Sequence, residues 1–407
     1  MSFKGTIINK NEGGLGVTSS VDRTAVIILG MGATEKVLNN TAYELLQIED
    51  AEAMGITEAA DNDGKLLVYE HLSEVFRLSP ETRVYLVTVP VVTKVSDLKN
   101  LTDLKAALRG IDGLNTIAVA GLTADETLQG AVTGAQLLVD AFSEEHILID
   151  TVMIEGVGSY LSAETIAGYP DLREMASPNV SVIIAQDSAV AARQPEYAGY
   201  AAVGSALGML MARYVHENLG SVDIENKPNA SKGANSYPLS STTLGKWQSA
   251  QLSNGKKFSS LSFADQQKLD ELGYIYAGSF AGFGGVFLSD SHTCTEISSD
   301  YNRIERNATW NKSARIIRNI LIPRVRSKVE SDPSTGYIKH TTISDWDGRV
   351  RSALEVMVSA GNVSDFDIYI NPKQAAVSAN PFNVKVRLVA HGIVHEFEVD
   401  LGFTTNI

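Results

Sequence analysis

Thr24-Ala25-Val26-Ile27-Ile28-Leu29 is an almost unbroken apolar, β-branched run that stops at Gly30. A strand without a polar face must be covered on both sides, so this run predicts the middle of a sheet with helices on each face. Runs of the same kind recur at 83–89, closed by Pro90, and at 116–120, 147–154 and 180–185. Helical patterns lie among them at about 41–53, 65–78, 97–109 and 125–144. Strands alternating with amphipathic helices predict an α/β fold with a largely parallel sheet. A further helix over 200–218 is predicted to pack closely through Gly204 and Gly208.

The rest of the chain changes texture twice. Residues 220–262 are rich in Lys, Asn, Ser and Gly, and they predict a long exposed excursion. Order returns at Tyr274-Ile275-Tyr276-Ala277 and at the Gly-rich stretch 282–288. The last third predicts a helix over about 300–322, broken at Pro323, which lacks an amide donor. A second helix follows at about 343–360, stopped by Gly361-Asn362. Strands are then expected at 366–370, 382–390 and 394–403, the last two joined by a turn at Gly392. The final strand alternates Phe397, Val399, Leu401 and Phe403 with polar residues. At the other end, residues 1–20 carry only Phe3, Ile7 and Ile8 as apolar anchors around Gly13-Gly14-Leu15-Gly16. Such a segment cannot bury enough surface to order by itself. It is either a frayed end or an arm that orders on a partner.

Charge and cysteine content narrow the function. The 34 basic and 48 acidic residues give a net charge of −14, which repels a phosphate backbone and disfavours nucleic acid as a bulk partner. Cys294 is the only cysteine, so no internal disulfide supports the fold. The first ten residues lack the apolar core of a secretion signal, and the apolar runs fall far short of the ~20 residues of a membrane span. A soluble protein of a reducing cytoplasm is expected.

Catalytic motifs are sparse. Gly30-Met31-Gly32 follows a strand, but a dinucleotide fingerprint needs a third glycine where Glu35 stands, and its carboxylate would face a pyrophosphate. No phosphate-cradling loop with its lysine and no nucleophile elbow occur. His292 lies two residues from Cys294, a spacing at which thiol and imidazole rarely converge. His391 and His395 flank the expected turn and would pair across a hairpin surface, and Glu144-Glu145 reads as solvated charge at a helix end.

One constellation departs from this acidic background. Between 303 and 328 stand Arg303, Arg306, Lys312, Arg315, Arg318, Arg324, Arg326 and Lys328 against the single acid Glu305. Ile304, Ala308, Ile317, Ile320 and Leu321 would let the same helix pack on a core and present a basic face. Two readings stand: pairing with this protein's own acidic surface, or docking on an acidic partner.

The order of these features resembles the sheath proteins of contractile phage tails and related contractile injection systems. The resemblance rests on Phe3-Lys4-Gly5-Thr6-Ile7-Ile8 with Gly13-Gly14-Leu15-Gly16 ahead of a strand. It rests also on Asp300-Tyr301-Asn302-Arg303-Ile304-Glu305-Arg306, on the helix through Ile322-Pro323, on Asp332 and Gly336-Tyr337-Ile338, and on the closing strand from His395 to Phe403. It implies an N-terminal inter-subunit arm (1–20), a larger α/β outer body (21–290), an inner sheath domain (291–392) and a C-terminal strand arm (393–407). Phe3, Ile7, Ile8, Phe397, Val399, Leu401 and Phe403 would anchor the arms, which add strands to a small sheet of neighbouring subunits. Arg303, Arg306, Lys312, Arg315 and Arg318 would face an inner tube. The implied protein is no enzyme and needs no cofactor or metal. It stacks as hexameric rings around a tail-tube protein, between baseplate and tail terminator, and contracts to drive the tube through a cell envelope. It binds no nucleic acid and inserts in no membrane. It belongs to a virion tail or injection particle assembled in the host cytoplasm. A Rossmann-like enzyme, or another self-assembling virion or array component, are the alternatives.

Overall fold

The computed structural model describes residues 22–123, 125–227, 236–377, 381–399, 401 and 403. In chain order the elements begin with β1 (Ala25–Gly30), β2 (Ala42–Leu45), α1 (Ile48–Ala53), α2 (Glu58–Gly64), α3 (Val68–Leu78) and β3 (Val84–Val89). α4 (Thr102–Arg109), β4 (Thr116–Ala120), α5 (Leu128–Glu144), β5 (Thr151–Glu155), β6 (Val180–Ile183) and β7 (Ala185–Asp187) follow. Then come α6 (Ser188–Ala191), α7 (Val203–Met211), β8 (Ala250–Leu252), α8 (Phe263–Leu272), β9 (Ala277–Gly278) and β10 (Phe287–Leu288). The last third holds α9 (Ile304–Leu321), α10 (His340–Ser359), β11 (Asp365–Ile370) and β12 (Val384–Val389).

Six strands form the central sheet in the order β2-β3-β1-β4-β5-β6. All neighbours are parallel except β2, which closes one edge antiparallel to β3. The β-branched run is β1, hydrogen-bonded on both sides, with Ala25 level with Val84 and Thr116. Its period-two alternation serves two cores. Ala25, Ile27 and Leu29 pack with Leu72, Val75, Leu207 and Leu210 of α3 and α7. Val26 and Ile28 pack with Leu104, Leu108, Val132 and Leu138 of α4 and α5. Cys294 is a fully buried member of the second core, and burial pushes its thiol pKa well up.

α3 and α7 meet at the two glycines singled out in the sequence. A Cβ on Gly204 would stand 2.3 Å from the His71 carbonyl oxygen, and one on Gly208 3.0 Å from that of Glu74. His71 accepts the Gly204 amide through Nδ1 at 3.1 Å, and burial lowers its pKa to about 4, so it sits in the contact as a neutral ring.

Local structure departs from the sequence reading where pairing or capping overrides periodicity. The helix expected at 41–53 begins as strand β2, because an open edge of β3 is there to be paired, and restarts at Ile48 through a Gln47/Asp50 capping box. The helix expected at 65–78 is α3, begun at Val68, and an unexpected short helix, α2, precedes it and ends at Lys65, which is left-handed (φ 56°). The 97–109 helix breaks at the extended Leu101 into a 3₁₀ segment and α4. α5 starts at Leu128 because Thr127 caps it, accepting the Gly130 amide. The 200–218 helix stops at Met211, where the Arg213 guanidinium donates to the carbonyls of Met209, Asn218 and Ser221. Among the described part of 220–262, the exposed excursion is largely a packed strap. Trp247 is 1% exposed, Leu239 and Leu252 are buried, and Lys246 pairs with Glu70 and Glu74 of α3.

A third core is separate. Trp346, Val350, Leu354 and Met357 of α10 pack under Ile368 and Ile370 of β11, joined by Ile316, Ile317, Ile320 and Leu321 of α9. β11 and β12 form a two-stranded antiparallel sheet with Asp367 opposite Arg387. α9 therefore spans two cores, its first half in the body and its second half in this small α/β unit. Among the described residues no helix is long and apolar enough to cross a membrane.

Gly204→Ala is expected to lower stability by about 1–3 kcal/mol through forced separation of α3 and α7. A shift in urea midpoint for Gly204→Ala, with none for the open Gly32→Ala, checks it.

Candidate functional site

Counting only the parallel strands, β1 is the switch point from which the connections run to opposite edges of the sheet. Ligands of doubly wound sheets bind in the crevice beyond the strand ends at that point. Here the chain fills it. A Cβ on Gly30 would stand 2.0 Å from the Gly121 carbonyl oxygen, so the loops after β1 and β4 touch backbone to backbone. Behind them the half-buried Glu155 accepts the amides of Gly121 and Ala201, each at 2.8 Å. Burial pushes its carboxyl up to about 7, against the two amides that favour the charged form. The cavity left beside Val119, Glu155 and Tyr160 is about 20 Å³, room for a single water. Gly30 thus serves a close loop contact, while Met31 and Gly32 line a separate open hollow of about 290 Å³ with Thr34, Met54 and Asp61.

His292 and Cys294 do not form a couple. His292 Nδ1 lies 2.9 Å from Arg173 Nη2 and its ring is flanked by Asp270 and Asp290, whereas Cys294 faces the core. The expected hairpin of His391 and His395 is absent too. His391 lies 5.7 Å from the ring of His216 and bonds Ser364 and the Gly361 carbonyl. His395 lies 3.8 Å from Asp290 on the body. Glu145 does not stand free: it pairs with Arg109. No group of three or more metal-ligating side chains occurs among the described residues.

The basic residues of α9 do not share one face. Successive three-residue steps fall about 60° short of a turn, so the positive charges spiral around the helix. Arg303 pairs with Asp290 at 3.0 Å, Lys312 with Asp22 at 2.7 Å, and Arg315 with Asp150 at 3.2 Å. Asp150 is fully buried, and desolvation raises its carboxyl while Arg315, Arg23 and Asn311 counter it. Arg306 is exposed and donates to Asn302, and Arg318 is exposed with no acidic partner among the described residues. Asn307 and Asn311, for which the sequence predicts no packing role, key the helix into the body by donating to the Pro178 carbonyl and to Asp150. Glu305, the one acid of the stretch, is buried and accepts from Asn218 and Ser291. An acid isolated within a basic helix was the available signal.

Phe3, Ile7 and Ile8 lie outside the described residues. Phe397, Val399, Leu401 and Phe403 are 82%, 77%, 95% and 111% exposed. The strand expected at 394–403 is not formed within the single chain among the described residues. Instead 393–396 run along an open hollow of about 560 Å³ between Phe263, Phe280, Tyr276 and Asp290 of the body. β11 and β12, meanwhile, each keep one outer edge unpaired. Their inward residues pack on α10, and their outward residues, Asp365, Asp367 and Tyr369 against Val389, Arg387 and Lys385, are exposed.

The α/β fold built from these elements is shared with contractile sheath proteins. The chain is similar over its whole length, with 14% identity and a TM-score of 0.60, to the whole of a chain in the contracted helical sheath of the anti-feeding prophage. A chain in the baseplate of the same particle matches at 11% identity and TM-score 0.59, also over the whole of both chains. A chain in the contracted PVC sheath complex, from an extracellular contractile injection system, matches at 13% identity and TM-score 0.56, over 100% of this chain and 98% of that one. The chain belongs to the DUF2586 family, whose N-terminal domain matches residues 3–292 and whose C-terminal domain matches 300–407. No curated protein matches the sequence.

Because Glu155 titrates near 7 when folded and near 4.5 when free, its stability contribution is full at low pH and is lost as pH rises through that window. Urea midpoints are expected to fall from pH 5 to pH 8, and less steeply in Glu155→Gln.

Proposed function

We propose that this protein is the structural subunit of a contractile sheath, stacking with copies of itself as hexameric rings around an inner tube, and that it catalyses no reaction. The observation that carries the reading is the pair of unmet strand requirements in one chain. The C-terminal segment alternates Phe397, Val399, Leu401 and Phe403 without an edge to pair with, while β11–β12 offers two edges without strands. Exposed edges invite pairing, so added strands from neighbours satisfy both sides. The N-terminal segment, with Phe3, Ile7 and Ile8, would act as the second arm. Main-chain hydrogen bonds of that kind persist while the bodies move as rigid units, which is what contraction requires. The chain-filled switch-point crevice supports a structural role over that of a Rossmann-like enzyme.

On this reading the body is the outer domain, and the α9–α10 unit with its small sheet is the inner one. Arg306 and Arg318, the exposed bases of α9, would meet an acidic tube surface, while Arg303, Lys312 and Arg315 hold the helix in place. The sheath would run from a baseplate to a tail terminator in a virion tail or injection particle assembled in a bacterial cytoplasm, and its contraction would drive the tube into a target cell envelope. Electron microscopy of the purified chain is expected to show hollow striated cylinders.

Deleting 1–20 or 393–407 should leave a folded, monomeric chain that forms no cylinders, as read by sedimentation and microscopy. Cylinders of normal diameter from either truncation would sink the arm assignment. Arg318→Glu should weaken co-assembly with a tube and leave the urea midpoint unchanged. Arg315→Glu should cost about 3 kcal/mol of stability, because it strands the buried Asp150.

A further inference from the structure

Resting on that reading, we propose that the edge of β12, and not that of β11, receives the C-terminal arm of a second copy, and that charge selects it. A strand added to this sheet must turn Phe397, Val399 and Leu401 toward the face where Val384 and Val386 pack inward, because neighbouring strands share the pleat. Glu396 and Glu398 then stand on the outer face. On the β12 side that face offers Lys385 and Arg387, both exposed, whereas on the β11 side it offers Asp365 and Asp367. Opposite charges side by side on adjacent strands stabilise a pairing and like charges oppose it. The arm is therefore attracted to one edge and repelled from the other, and a single register-compatible face decides which.

The occupant is another copy because a chain's own arm is led away from its β12. After Val389 the chain is held by His391 against the Gly361 carbonyl (2.8 Å) and Ser364 (3.0 Å), and 393–396 then lie along the body beside Asp290. The segment that needs an edge leaves on the body side, and the edge that needs a segment stays on the small sheet.

The test uses the full-length chain and a labelled synthetic peptide of residues 393–407, read by fluorescence anisotropy at low salt, with microscopy of each chain in parallel. The peptide should bind the wild-type chain, and Lys385→Glu/Arg387→Glu should weaken it by about tenfold or more. Asp365→Lys/Asp367→Lys should leave binding unchanged. A peptide with Glu396→Lys/Glu398→Lys should lose wild-type binding and regain it on Lys385→Glu/Arg387→Glu, a rescue that a merely unfolded variant could not give. Binding indifferent to Lys385 and Arg387, or lost on changing Asp365 and Asp367 instead, would overturn the edge assignment while cylinders from the wild-type chain left the sheath reading standing. No peptide binding together with no cylinders would overturn both.

Discussion

Everything in this molecule depends on how α9 is held. A helix that joined two cores through apolar contacts alone could slide or roll between them, since hydrophobic packing is non-directional. α9 is keyed by hydrogen bonds instead. Glu305 accepts from Asn218 and Ser291, Asn307 reaches the Pro178 carbonyl, and Asn311 and Arg315 converge on Asp150 at the head of β5. Buried polar groups tolerate few alternative partners, so a roll of a few ångströms would leave several of them unsatisfied together. The central sheet and the small sheet are thereby placed relative to one another by the rotation of one helix.

That rigidity gives the two ends of the fold different characters. The body closes on itself. Its switch-point crevice is filled by the Gly121 loop and Glu155, its helices meet at glycines, and its polar strap is pinned through Lys246 and Trp247. The C-terminal unit does the opposite and leaves edges and apolar side chains unmatched. A domain complete in itself carrying another that is incomplete is the arrangement expected of a subunit whose contacts lie with its neighbours.

Much of this was written in the order of residues. Strands β1, β3 and β4 follow from β-branched runs because central parallel strands have no polar face to confuse the pattern. Gly204 and Gly208 announced the α3–α7 contact, and Pro323 with Gly361 bounded the last helices. The failures share a cause. β2 reads as helix because an edge strand is decided by its partner, not by its own periodicity. The strap at 236–262 reads as exposed because its Lys and Trp find their partners on α3, far off in sequence. The α9 bases read as one face because counting charges ignores the helical drift of their spacing, and because the acids that claim three of them, Asp22, Asp150 and Asp290, come from distant segments.

Cys294 carries a consequence for how the chain behaves outside a reducing environment. Its thiol is sealed within the core and held protonated, so it is closed to oxidants and to exchange. Copies of the chain brought together in an aerobic medium then have no exposed thiol through which to cross-link.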